Sequence, residues 1–407
     1  MSGRRPLVFV AIVTMLALVG CRGPAVYPTV TPTRSTLLGS VPTPSHESGA
    51  VGTPVLEASQ ATPRGRAASG FAYGFNVAWR GDEDGAAFNQ RTAEMVRQAG
   101  FQWVRFQVRW ESLEPRPGEW DFRPIDRVLP VYEAAGLSVL ASVVGAPEWA
   151  RAANGGIVAD PATFREAMRR LASRYRGRIH AWEIWNEQNL AHELHGPVRV
   201  EPYCAVLRAG YEGVKAGDPE ALVVFGGLTP TGVNDPTIAV DDVAYLEAFY
   251  ALDGGSCTRY FDVLGAHANA TLNPPDTLWP ERPGPGPGWR DHPSFYFRRV
   301  EQLRAVMERH GDRRPVWITE FGWTTNNPAP GYEYGQYVSE EQQAEYLVRA
   351  FEIARTRWPW VTGMFVWNLN FSTIVGPEDE KGPWSVLNPD WSPRPAYRAL
   401  SAMPKQP

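Results

Sequence analysis

The sequence predicts an α/β fold, a (β/α)8 TIM barrel forming a single folded domain behind an exported leader. Three observations carry that prediction. Eight short apolar runs of strand length lie between residues 71 and 368, segments of helical period separate them, and no G-x-G-x-x-G turn follows any run. Strands separated by helices pair in parallel through βαβ units. Eight such units over residues 70–403 fit a closed barrel, which needs about 250 residues or more. The count of eight and the missing dinucleotide fingerprint argue against an open doubly wound sheet.

The runs, in order, are 71–79 (FAYGFNVAW), 102–110 (QWVRFQVRW), 137–144 (LSVLASVV) and 179–186 (IHAWEIWN). They continue with 221–228 (ALVVFGGL), 261–268 (FDVLGAHA), 315–322 (PVWITEFG) and 361–368 (VTGMFVWN). The helical segments between them include NQRTAEMVRQAG, ending at Gly100, PATFREAMRRLASRYRG, ending at Gly177, and SEEQQAEYLVRAFEIARTR. Glycine at the end of a helical pattern is a stop signal.

Ahead of the barrel, Arg4 and Arg5 precede an uninterrupted apolar run over residues 7–20 that ends at Cys21. That run is short for a membrane span and suits a signal-peptide core. The residues LVGC at 18–21 resemble a bacterial lipobox, which implies cleavage before Cys21 and lipid attachment there. A plain secretory signal and an uncleaved anchor are the alternatives, and all three export the chain. The expectation is a signal over 1–20, a Thr/Pro-rich flexible tether over 21–69 and the barrel over 70–403, on the outer face of a bacterial membrane or secreted. In an oxidising compartment Cys204 and Cys257 can bond, but the helix placement puts them near opposite ends of the fold, so a disulfide is not expected.

Composition narrows the function. The net charge of −4 and the absence of a basic stripe give no reason to expect nucleic acid. Seven scattered histidines, with HELH at 192–195 lacking the spacing of HExxH, argue against a metal site, and no phosphate loop is present. No cofactor is expected. Sixteen tryptophans are numerous; they fill cores and, in a cleft, offer platforms for the apolar faces of sugars.

In a barrel of this type the site forms at the C-terminal ends of the strands. Trp79, Arg105, Trp110, Pro147, Trp149, Asn186, Glu187, His267, Asn269, Glu320, Trp323, Trp367 and Asn368 fall there. Glu187 and Glu320, at the ends of strands four and seven, face each other across the mouth. Two facing carboxylates in an aromatic cleft are what glycoside hydrolysis uses: one protonates the leaving oxygen, the other meets the developing positive charge. An inward Arg105 would keep Glu320 ionised as a nucleophile, leaving Glu187 as acid and then base. Asn186 would bond the sugar hydroxyl beside the reacting carbon.

These residues carry a resemblance. A strand-four NE, a strand-seven TE, a strand-two arginine, a strand-six histidine and a strand-eight tryptophan resemble clan A of the glycoside hydrolases. VRFQVRWESLEPRPGEWDF (104–122) looks like the second-strand segment of families 5, 39 and 42, and GAPEWA (145–150) and SPRPAYRAL (392–400) are similar to later segments. The resemblance implies a retaining hydrolase of β-linked oligo- or polysaccharides, with Glu187 as acid/base, Glu320 as nucleophile, and Arg105, Asn186, His267 and Trp367 as supporting substrate contacts. A catalytically inactive sugar-binding barrel and a transglycosylase are the alternatives. Clan members often place a tyrosine after the strand-six histidine; here HANATLN has none, and Tyr296 or Tyr334 is left to substitute from a loop. Trp149 and Trp323 are expected to stack on sugar, with Trp384 a third such tryptophan that can equally cover the barrel top. Arg109 and Glu183 read as structural ion-pair or rim residues, and the Pro/Gly-rich segment 272–293 as cleft wall.

Overall fold

The computed structural model describes residues 70–153, 157–281 and 292–405. The leader, Cys21, the tether and residues 282–291 of the Pro/Gly-rich segment lie outside the described residues. Among the described residues no helix is long and apolar enough to cross a membrane.

Each of the eight sequence runs contains a strand: β1 (Ala72–Asn76), β2 (Trp103–Arg109), β3 (Ser138–Val144), β4 (Ala181–Ile184), β5 (Leu222–Phe225), β6 (Leu264–His267), β7 (Val316–Phe321) and β8 (Val361–Val366). All pair in parallel in the order β5-β4-β3-β2-β1-β8-β7-β6. Isolated parallel bridges, Val224 to Val263 and Leu228 to Ala266, join the β5 and β6 sides and close the barrel. One principal helix follows each strand: α1 (Ala86–Gln98), α2 (Arg123–Ala134), α3 (Pro161–Arg174), α4 (Val200–Gly217), α5 (Asp242–Ala251), α6 (Val300–Arg309), α7 (Glu340–Arg357) and α8 (Pro395–Ala402).

Local chemistry fixes several boundaries. Asp160 caps α3 ahead of Pro161, and Ser339 with Gln342 forms a capping box on α7. Gly100 and Gly177, after α1 and α3, have φ of 74° and 69°, a left-handed conformation that glycine adopts without strain.

The barrel interior is filled at its N-terminal end by one apolar residue from each strand or its edge: Ala72, Trp103, Leu140, Ala181, Val224, Val263, Trp317 and Phe365. Gly74 makes room for the Phe365 ring, since a Cβ there would lie 2.2 Å from it. Towards the C-terminal ends the interior turns polar, with Asn76, Arg105, Ser142, Glu183, His267 and Thr319 all buried. Burying so many polar groups is costly unless they satisfy one another. Asn76, Glu183 and Glu320 do so around Arg105, while His267 Nε2 and the Thr319 hydroxyl have no hydrogen-bond partner among the described residues.

The two cysteines correct the sequence expectation: Cys204 and Cys257 are bonded, with Cα atoms 5.7 Å apart. The residues after α5 explain why. Asp253, Gly254 and Gly255 all take left-handed φ and turn the chain back against α4, where Tyr260 meets Tyr211 and Cys257 meets Cys204. Strand and helix counting alone placed the two cysteines near opposite ends of the fold.

Candidate active site

Arg105 is the hub. Strand alternation puts it on the inner face with Trp103 and Arg109, and each of its three guanidinium nitrogens is engaged. Nε donates to Glu183 Oε2 at 2.7 Å, Nη2 to Asn186 Oδ1 at 2.8 Å, and Nη1 to both Asn76 Oδ1 at 2.7 Å and Glu320 Oε1 at 2.6 Å. Asn76 in turn donates to the Thr319 carbonyl at 2.9 Å, tying β1 to β7. Arg105 is 1% exposed, so it acts from behind the site. Its nitrogens are taken up by these four acceptors, so Arg105 bears on the mouth through Asn186 and Glu320, which it holds.

Glu320 reaches the interior through an irregularity. Trp317 packs in the interior layer and Thr319 follows on the same face, which would turn Glu320 outward. The pairing of β7 with both neighbours shifts here: Ile318 pairs with Ala266, but the next pair is Glu320 with His267. Such a bulge re-aims a side chain, and Glu320 points into the mouth beside Arg105.

Glu187 is aimed by another special backbone. After β4, Trp185 and Glu187 have φ of 69° and 48°, left-handed values that cost non-glycine residues free energy and cluster at functional sites. The Glu187 side chain then meets His267, Oε1 to Nδ1 at 2.9 Å, while His267 Nε2 lies 3.7 Å from Glu320 Oε1. Oxygen atoms of the two glutamates and a ring nitrogen of His267 all lie within 4.8 Å of one another.

The charges in this cluster are interdependent. Burial works against the His267 imidazolium, but Glu320 and Glu187 on either side outweigh it and raise its pKa. Burial likewise opposes ionisation of Glu187, yet its bond to His267, the charge of that ring and a Thr229 hydroxyl bring it below the usual range. Glu320 is raised: burial outweighs the pull of His267 and Arg105, and the Glu187 charge adds to the rise. This ordering differs from the expectation that Arg105 would keep Glu320 low, because burial of the carboxyl outweighs the pull of the neighbouring cations.

Asn186 directs its Oδ1 to Arg105, which leaves its NH2 donors without a protein acceptor among the described residues. Trp367 stands partly exposed at the end of β8, its ring against Phe371. Trp149 is partly exposed above β3 and donates to the Glu114 carbonyl at 3.0 Å. Trp323 is a correction: it is 0% exposed, donates to the Asn273 carbonyl at 2.9 Å and packs on Phe297 and Tyr346, so it is core and offers no sugar platform. Trp384 is buried as well, against Tyr332. Glu183 and Arg109 make the ion pairs read from the sequence.

Neither tyrosine named from the sequence stands beside the carboxylates. Tyr296 donates to the Glu281 carbonyl at 2.6 Å, and Tyr334 is buried behind Tyr332. Burial first, and then the charges of Glu380 and Glu187 among others, push the pKa of the Tyr332 hydroxyl up. Glu380, on the loop after β8, is raised by burial and also feels Glu320. Both sit on loops without periodicity, where sequence pattern carries no spatial information.

The geometry can be set beside known proteins. A family model described as beta-galactosidase, of glycoside hydrolase family 42, matches residues 82–160. A family 39 glycoside hydrolase from Bacteroides cellulosilyticus superposes with a TM-score of 0.60 at 21% identity, over 82% of this chain and 63% of that one. A monomeric beta-xylosidase from Caulobacter crescentus gives 0.56 at 16%, over 83% and 68%. Xylanase 10B from Thermotoga maritima gives 0.56 at 16%, over 82% and 94%. The chain has the clan A barrel fold. The clan A resemblance read from the sequence therefore stands, and the chain spans just under two thirds of the length of the Bacteroides enzyme.

Proposed function

We propose that this chain is a retaining glycoside hydrolase of β-linked sugars working by double displacement. The observation that carries the proposal is the approach of Glu187 and Glu320 to within 4.8 Å. Retaining enzymes hold their carboxyl groups about 5–5.5 Å apart, whereas inverting ones need about 6.5–9.5 Å to admit water.

A Glu320 oxygen bonds to the anomeric carbon as the bond to the leaving oxygen breaks, and that oxygen takes a proton from the Glu187–His267 pair. Water then attacks the same carbon, returns its proton to the pair and releases Glu320. The raised His267 beside a lowered Glu187 supports a proton resting on the ring. With the proton there, Glu320 is free to act as nucleophile. Asn186, oriented by Arg105, donates to the hydroxyl next to the reacting carbon. Trp367 and Trp149 supply apolar faces.

The Cys204–Cys257 bond suits an oxidising compartment and supports export of the chain; lipid attachment at Cys21 rests on the lipobox-like LVGC at 18–21 alone. The test is a screen of residues 68–407 against aryl β-glycosides and β-linked polysaccharides, with Glu320→Ala as the blank. Release absent from the blank, with retained anomeric configuration, is the expected result. Release that persists in the blank, or an inverted product, removes this reading.

A further inference from the structure

The β2–β3 side of the mouth carries positive charge that the reaction above does not use. Arg109 ends β2 on the same inner face as Arg105, about 13 Å further towards the mouth at about 3.3 Å per residue. It donates to Glu111 Oε1 at 2.8 Å from Nε and 2.6 Å from Nη2. Arg151, from the loop after β3, donates from Nη2 to Glu111 Oε2 at 3.3 Å and to the Ala146 carbonyl at 2.9 Å. One carboxylate therefore serves two guanidinium groups.

Donors remain. The Nη1 group of each arginine has no acceptor among the described residues, and Arg151 Nε is buried without a partner. Both side chains stay about one third exposed. Glu148, exposed on the same turn, pairs with neither. A third loop adds its effect: burial, then chiefly the charges of Arg151 and Arg109, hold His195 below its usual range. Trp149, two residues before Arg151 on the same loop, offers a partly exposed ring.

We propose that Arg109 and Arg151, bridged by Glu111 beside Trp149, form a subsite for an anionic substituent on the sugar chain, a uronate carboxylate or a sulfate ester. Guanidinium groups pair with such oxyanions through charge-assisted hydrogen bonds. The ring of that unit lies on Trp149, while Glu111 keeps the two guanidiniums from drifting apart. The proposal deepens the glycosidase reading and rests on it.

The test measures binding by calorimetry to the full chain carrying Glu320→Gln, so that nothing is turned over. The probes are neutral cello-, manno- and xylo-oligosaccharides, the C6-oxidised and C6-sulfated forms of the first two, and glucuronate-substituted xylo-oligosaccharides. The expected result is about tenfold tighter binding of an acidic member than of its neutral parent. Arg151→Gln and Arg109→Gln, each checked for an unchanged melting profile, should reduce that ratio below about twofold. Preference for the oxidised over the sulfated member identifies the carboxylate, and the reverse identifies sulfate; either supports the subsite. Equal binding of neutral and acidic members, or a preference that survives both substitutions, overturns the subsite and leaves the glycosidase reading standing. Silence from every member, neutral and acidic, overturns both.

Discussion

Arg105 holds Glu320 through Nη1 at 2.6 Å while its Nε holds Glu183 at 2.7 Å, so one buried cation positions the carboxylate proposed as nucleophile and anchors a second, fully buried one. Removing one partner of a buried ion pair leaves the other charge uncompensated, at a cost of about 3–5 kcal/mol. Arg105→Met should lower stability by that order and abolish turnover. Arg105→Lys keeps the charge but cannot serve four acceptors from a single ammonium. It should fold better than Arg105→Met in denaturant titrations yet stay far below wild type in kcat. Equal kcat for Arg105→Lys and wild type would show that the fork geometry is unimportant.

Glu187 is assigned to proton transfer, and leaving-group dependence tests that. Glu187→Ala should lose about 10²–10⁴ in kcat/KM on sugars with poor leaving groups. On dinitrophenyl glycosides, which depart without acid help, the loss should be small in the first step, with added azide restoring the second. A uniform loss across leaving groups would move Glu187 out of the acid role.

Much of this site was legible in the sequence because barrel topology converts strand order into position. Once eight runs were recognised, Glu187 and Glu320 had to share the mouth, and the inward arginine on β2 had to approach them. What escaped depended on backbone detail. The bulge that turns Glu320 inward after Thr319, and the left-handed Trp185 and Glu187, leave no mark on hydrophobic periodicity. Tyr332 and Glu380 arrive from loops. The Cys204–Cys257 bond depends on a left-handed turn at Asp253–Gly255 that simple strand and helix counting cannot supply.

Trp323 and Trp149 look alike in the sequence, each a tryptophan just past a strand end, and differ in burial. Trp323→Ala should cost about 3–5 kcal/mol through the cavity it leaves among Phe297 and Tyr346. Trp149→Ala, from a partly exposed position, should melt within a few degrees of wild type and raise KM more than it lowers kcat. Melting curves and Michaelis parameters on the two variants decide the matter; the opposite pattern would return Trp323 to the cleft.

His267 makes stability depend on pH in a definite direction. Its pKa is raised in the folded chain by the two glutamates, against burial. The stability it contributes is therefore fully present below its unfolded value, about 6.5, and is lost as pH rises through the folded value. The melting deficit of His267→Asn should be largest near pH 5 to 6 and narrow towards pH 9. Were burial dominant, the imidazole would be lowered and the deficit would grow with pH instead. Paired melting curves across that range distinguish the two signs.

The disulfide closes a loop of sequence separation 53 between α4 and the segment before β6. Loop-closure entropy in the unfolded chain assigns such a bond about 4 kcal/mol. Cys204→Ser with Cys257→Ser should lower stability by up to that amount, and reductant should reproduce the loss in wild type without affecting the double variant. The bond joins α4 itself to the segment before β6, and its two cysteines are not among the groups that hold Glu187, His267 or Glu320. Turnover well below the melting transition should therefore change little. A large loss of kcat in the folded double variant would mean that the β4 end, which carries Glu187, is held in place by α4 through this bond.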